Sequence, residues 1–343
     1  MNENQFIYEL EQALKRLPAD ERDDIILDIK EYFSNGREDG KSEEEIAASL
    51  GSPNKIASEL LEAYPFNQEE VSMHTTMSEK MTIPDNSFTK VDIDVQHGAL
   101  FVSPSDTSET TVELIGQKDK LELTADVIGE TLKIRLKNKS HWLFLFNFHT
   151  RAVALNVFIP KKVYESVAMK SDNGRIKAQK LIGRNIMSKT DNGRIEIDEV
   201  ASTSLTAETD NGRIVIKKVQ TDRLKAKTDN GRIHMRHIEA DSIYAESDNG
   251  RLEFVDIKSD VTGVTDNGRI TLQTEQLNHH IDFQTDNGSI EIQTDQMPEN
   301  ATIIAKTGYG KIDVYGERNT RTRFGSEQYQ IRLKSDNGRI TVK

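Results

Sequence analysis

The side chains in this sequence with the means to do chemistry are eight histidines and 57 carboxylates; there is no cysteine. Thiol nucleophiles, disulfides and thiolate metal ligands are therefore excluded. Two histidine groupings stand out, His234 with His237 and the adjacent pair His279-His280. Neighbours on a strand point to opposite faces, so His279 and His280 do not share a metal ion. No acid stands beside them at ligand spacing. A Walker loop, a dinucleotide glycine pattern and a nucleophile elbow are all missing. What recurs is an Asp-Asn-Gly-Arg string, with its aspartate at Asp172, Asp191, Asp210, Asp229, Asp248, Asp266 and Asp286 and a last copy at Asp336; in the Asp286 copy Ser289 replaces the arginine. Repeated carboxylates could bind calcium or, as pairs on one face, cleave glycosidic bonds. Calcium loops need six to eight oxygens and an acid late in the loop, where arginine stands here. No acid pair differs from its equivalents in the other copies. The pattern predicts a protein that is not an enzyme and has neither a metal site nor a cofactor.

The elements that carry these residues repeat as well. Successive aspartates lie 19, 19, 19, 19, 18 and 20 positions apart, then 50. Inside the long gap "TGYGKI" (307–312) fills the same slot, and "VQHGAL" (95–100) is a degenerate first copy. On both sides of each corner apolar residues alternate with polar ones: Leu205, Ala207 and Thr209 before, Ile214 and Ile216 after. Period two means a half-buried strand on each side. A 19-residue circuit is roughly 60 Å of strand. That length suits a flattened coil of two facing strands, stacked ~4.8 Å on its neighbours. Asn173, Asn192, Asn211, Asn230, Asn249, Asn267, Asn287 and Asn337 then form a hydrogen-bonded ladder. Glycine is expected to supply a positive φ at the corner. The preceding Thr or Ser points inward, and Arg neutralises the stacked Asp across rungs. An antiparallel meander also uses Asn-Gly turns. It would separate equivalent turns by two strands and would not require the same asparagine each time.

The net charge of −12 is concentrated at one end. Residues 1–65 hold 16 acids and 7 bases, leaving −3 for the rest, which argues against nucleic acid as a partner. Phe6, Leu10, Leu14 and Leu17 recur at helical spacing. Pro18 opens a second helix carrying Ile25, Ile29, Tyr32 and Phe33, stopped by Asn35-Gly36. Ser42 and Glu45 form a capping box for a third helix, ended by Gly51, and Ser52-Pro53 opens a fourth with Ile56, Leu60, Leu61 and Tyr64. Residues 66–80 read as a linker. "MNENQFIYELEQALKR" lacks the apolar run of a signal peptide, and no segment reaches the ~20 apolar residues of a spanning helix. The expected location is the cytoplasm, peripheral at the inner face of the cell membrane.

One stretch breaks the pattern. Residues 131–164 contain seven Lys or Arg and no acid. Lys133, Arg135, Lys137 and Lys139 lead into Trp142, Leu143, Phe144, Leu145, Phe146 and Phe148. The run is either a buried strand or end-plug, or an apolar tip on a basic collar that contacts an anionic membrane or a partner.

Two resemblances follow from quoted motifs. "LP" with "ER", "DIKEYF", "KSEEEIAASLG" and "SPNKIASEL" across residues 1–65 resemble the HAAS domain, a helical module of bacterial envelope-signalling proteins. The "SDNGRI" corners with inward Ile, over roughly residues 81–343, resemble the toast-rack family, domain of unknown function 4097, also described as adhesin-like. Together they imply a small helical bundle (1–65) followed by a two-sheeted, right-handed β-solenoid of ~19-residue rungs. The regular rungs are expected over 166–315 and a cap over 316–343. The implied role is a non-enzymatic scaffold or sensor in envelope-stress signalling that docks a protein through residues 1–65. The alternatives are a surface adhesin and a solenoid enzyme acting on glycans.

Overall fold

The computed structural model describes residues 1–17, 41–63, 78–116, 121–138 and 153–343, with Arg22, Ile25, Ile26, Ile29, Lys30, Tyr32, Phe33 and Arg37 between the first two segments. The chain divides into a helical unit at its N-terminal end and a β-unit that begins at Ser78.

In the helical unit, Asn2 caps helix Glu3–Ala13 by accepting from the Gln5 N–H. Ser42 and Glu45 form a reciprocal capping box on helix Glu43–Leu50. Gly51, at φ 87°, ends that helix, and Pro53 opens helix Pro53–Ala63. Phe6, Leu10, Leu14 and Phe33 are fully buried, with the Phe6 and Phe33 rings edge-on at 5.6 Å. Ile25, Ile29, Ile56 and Leu61 pack against this core, but Tyr32 is 47% exposed, because its neighbour Phe33 takes the inward position. Pro18, Asn35, Gly36 and Tyr64 lie outside the described residues.

The β-unit is a stack of coils. Strand Ile182–Asn192 pairs in parallel with Val163–Asn173 on one side and Ala201–Asn211 on the other. After the corner, Ile195–Asp198 pairs in parallel with Ile176–Gln179 and with the start of Ile214–Asn230. Parallel pairing between successive copies excludes the meander, whose neighbours would run antiparallel. The period-two pattern accounts for the core: Leu205, Ala207, Ile214 and Ile216 are all fully buried. Each buried Leu or Ile contributes about 1.5–3 kcal/mol by leaving water. The 18-residue step comes from a register shift between Glu239 and Ser242 opposite the next rung.

Stacking order departs from sequence order at both ends. Strand Lys90–His97 lies between Thr131–Asn138 and Val163–Asn173, and Ala99–Pro104 lies between Ala154–Ile159 and Ile176–Gln179. At the far end Tyr329–Ser335 lies between Ile281–Thr285 and Ala301–Thr307, and Ile340–Val342 between Ile290–Thr294 and Ile312–Val314. The cap expected over 316–343 is thus corrected. Residues 329–342 are an inner rung, and 301–314 form the outer one, flanked by the short antiparallel strand Arg321–Arg323. The physical reason is that the two slots are equivalent: Ile331, Leu333 and Ser335 occupy the same register as Ile303, Ala305 and Thr307. The expected linker also ends earlier than residue 80, since Ser78–Ile83 is a strand paired antiparallel with Thr110–Ile115.

Candidate functional site

The Asp-Asn-Gly-Arg corner builds two side-chain ladders. The Asn211 side-chain amide donates to Asn192 Oδ1 at 3.0 Å, and Asn192 to Asn173 at 3.0 Å. Asn230, Asn249, Asn267 and Asn287 continue the column at 2.9–3.0 Å. Asn337 donates to Asn287 at 2.9 Å across a gap of 50 positions, as the inserted rung requires. These asparagines are exposed, so each rung gains a solvent-side bond rather than a buried one. The inner ladder is made by the preceding hydroxyl. Thr209 Oγ1 is buried and donates to the Gly193 carbonyl at 3.2 Å; Thr228, Ser247, Thr265 and Thr285 repeat the bond.

Glycine is required at this corner for a reason other than the one expected. A Cβ on Gly212 would sit 2.0 Å from the Gly193 carbonyl oxygen, and one on Gly193 equally close to Gly174 O. Of the Asn-Gly glycines from 174 to 338, only Gly174 has a positive φ. Stacked backbones approach too closely for a side chain.

The opposite corner carries no sequence signature. Lys180, Glu199, Lys218, His237 and Asp256 occur every 19 residues and all have φ between 51° and 55°, left-handed without glycine. Their side chains point outward, where Lys218 pairs with Glu199 at 3.1 Å and His237 with Asp256 at 3.1 Å. The residue after each, Leu181, Val200, Val219, Ile238 or Ile257, turns inward and is buried. The His234/His237 grouping is thereby split: His234 bonds Glu253 at 3.2 Å on the sheet face, and His237 sits on the corner.

On the outer face of the second sheet, two glutamates gather the corner arginines. Glu196 contacts Arg175, Arg194 (3.7 Å) and Lys177 (3.2 Å). Glu253 contacts Arg232 (3.8 Å), Arg251 (3.2 Å) and His234. Burial pushes both carboxyl groups up, but the cations outweigh it and hold each at about 2. Sequence spacing had paired arginine only with the stacked aspartates.

The basic strand at 131–138 does not present a basic surface. Arg135 binds Asp92 and lies 3.7 Å from Asp94. On the other side Glu122 stands opposite Lys137 and Asp126 opposite Lys133. Lys161 pairs with Asp106 at 3.3 Å, and the Lys162 ammonium lies 4.2 Å over the Phe88 ring while bonding the Asn86 and Phe88 carbonyls. Asp92 and Asp94 come from a strand some forty positions away, while Glu122 and Asp126 lie on the antiparallel strand just before 131, outside the stretch whose charge was counted. Lys139, Trp142, Leu143, Phe144, Leu145, Phe146 and Phe148 lie outside the described residues. Among the described residues, no three His, Asp or Glu side chains are placed to hold a metal ion, and no helix is long and apolar enough to cross a membrane.

Two parallel sheets joined by ladder-forming corners define a β-solenoid repeat protein. The chain belongs to the Toastrack DUF4097 family, whose profile matches residues 88–343, and the HAAS profile matches residues 5–59. Among solved structures, it is similar to a "putative adhesin from Parabacteroides distasonis", with 12% identity and a TM-score of 0.51 over 79% of this chain and 98% of that one. Another of that description, from Parabacteroides merdae, has 11% identity and a TM-score of 0.48 over 79% and 97% of the two chains. At such identities the likeness is one of fold. No curated protein matches the chain.

Proposed function

We propose that this protein is a non-enzymatic scaffold in bacterial envelope-stress signalling, docking a protein partner through its acidic helical unit. What supports the reading is the division of labour between the two units. The described polar residues of the solenoid corners are largely engaged with neighbouring rungs, whereas residues 1–65 carry 16 acids against 7 bases around their own small core. A partner with a basic surface fits that charge, and its binding should weaken with salt. The test uses the full chain as bait, with and without added residues 1–65 as competitor, at low and high salt. A partner displaced by the competitor and by salt supports the reading. One retained by a chain lacking residues 1–65 refutes it.

The second reading is a surface adhesin, favoured by the shared fold with the Parabacteroides distasonis protein. Cell fractionation separates the two: recovery at the outer surface supports the adhesin, recovery inside the cell the scaffold. With Lys133, Arg135 and Lys137 faced by acids, a membrane contact rests on Lys139 and Trp142–Phe148. Binding to anionic vesicles, compared between wild type and Trp142→Ala/Phe144→Ala, tests it.

A further inference from the structure

The insertion of residues 329–342 brings its first side chains against the histidine pair. The Tyr329 ring centroid lies 6.5 Å from that of His279 and 6.0 Å from that of His280. The Gln330 N–H donates to His280 Nδ1 at 3.1 Å. The backbone of His280 is held from the other side: its N–H donates to Asp260 Oδ1 at 2.9 Å and its carbonyl accepts from the Val261 N–H at 2.9 Å. The main chain is thus pinned to the preceding rung while the ring reaches forward to the inserted strand. Accepting at Nδ1 requires a neutral ring with its proton on Nε2. This contact lies one residue before the ladder from Ile281–Ile331 to Thr285–Ser335 begins, at the point where the inserted strand enters.

We propose that His280 is an acid-sensitive latch on the inserted rung. Protonation places a hydrogen on Nδ1, so the ring can no longer accept from Gln330, and the first residues of 329–342 loosen between their two neighbours. The charged and titratable groups around it are Asp260 on the preceding rung, His279 and Asp282 on its own segment, and Tyr329 and Arg332 on the inserted strand. Arg332 donates to the Gln330 side chain at 2.7 Å and lies 4.0 Å from Asp282. Asp260 favours a cation on His279. Burial lowers the His279 pKa more than Asp260 raises it, and His280 pushes it the same way as burial. Loosening this rung uncovers edges of the 281–294 and 301–314 rungs, and open edges are templates for strand addition.

Amide hydrogen exchange on the full chain at about pH 5.5 and about pH 7.5, either side of the ordinary imidazole pKa of about 6.5, tests the latch. After correction for intrinsic rates, protection at the start of the inserted strand should fall roughly fivefold at the lower pH, the effect of losing one hydrogen bond. Protection over 201–217 should not change. His280→Asn, whose side-chain oxygen accepts at either pH, should abolish the pH dependence. His280→Ala should leave the strand loose at both. A wild type without the selective fall overturns the proposal. So does an equal fall in His280→Asn, or a fall abolished by His279→Asn instead.

Discussion

The two corners of each rung reverse the chain with opposite chemistry. At the Asn-Gly corner, a hydroxyl and a missing Cβ meet the glycine carbonyl one rung away and an amide meets its own counterpart, so residue identity is dictated. At the other corner only the backbone is dictated. Lys180, Glu199, Lys218, His237 and Asp256 share a left-handed φ and little else. A non-glycine residue there costs about 1–2 kcal/mol, offset by burial of the apolar residue that follows. Repetition in a sequence therefore reports which constraints act through side chains, not how many corners exist.

The comparison can be broken most severely at the close approach. Gly212→Ala should destabilise the fold by at least about 3 kcal/mol, because its Cβ falls on the Gly193 carbonyl oxygen and neither backbone can move without shifting a rung. Urea denaturation measures the loss; a change under 1 kcal/mol, roughly the noise of such additivity arguments, would remove the close-packing account.

Next in size is the glutamate between the arginines. Glu196→Gln should cost on the order of 2 kcal/mol at neutral pH. Because the folded-state pKa, about 2, is below the unfolded value, this stability is present above about pH 4.5 and lost as pH falls toward about 2. Melting curves of wild type and variant should converge over that window. Parallel curves down to acid pH would show that the carboxylate does not carry the effect.

The ladder asparagines come third. Asn211→Ala removes two exposed bonds, to Asn192 and from Asn230, and should cost about 0.5–1 kcal/mol. The smallest effect has the opposite sign. Lys218→Gly at the left-handed corner should raise stability by about 0.5 kcal/mol, the relief of φ exceeding the added chain entropy and the lost Glu199 pair. If that variant is as damaging as Gly212→Ala, the two corners are not different in kind.

These contrasts explain what was legible in the sequence. The Asn column, the inward Thr and the alternating Ile were readable because each is a local chemical demand repeated at fixed spacing. The left-handed corner was not, since four different side-chain types satisfy one backbone torsion at five positions. The reason for glycine was misread because a clash with Gly193 O is made by a residue 19 positions away, whereas φ is local. The order of the end rungs escaped for a related reason. "TGYGKI" and "SDNGRI" fit equivalent slots, and period alone does not say which lies outside. The charge at Lys133, Arg135 and Lys137 was misleading in isolation, since Asp92 and Asp94 reach it through stacking and Glu122 and Asp126 through the antiparallel strand before it.

The inner placement of the rungs at 90–104 and 329–342 also has a mechanical side. A pull applied through residues 88 and 343 does not load an outermost strand. It loads strands hydrogen-bonded on both flanks, Lys90–His97 at one end and Ile340–Val342 at the other. An outer strand under tension peels one bond at a time. A flanked strand must give up its bonds to two neighbours before it leaves the stack. Detaching either of these strands therefore means opening two ladders where an outermost strand would open one.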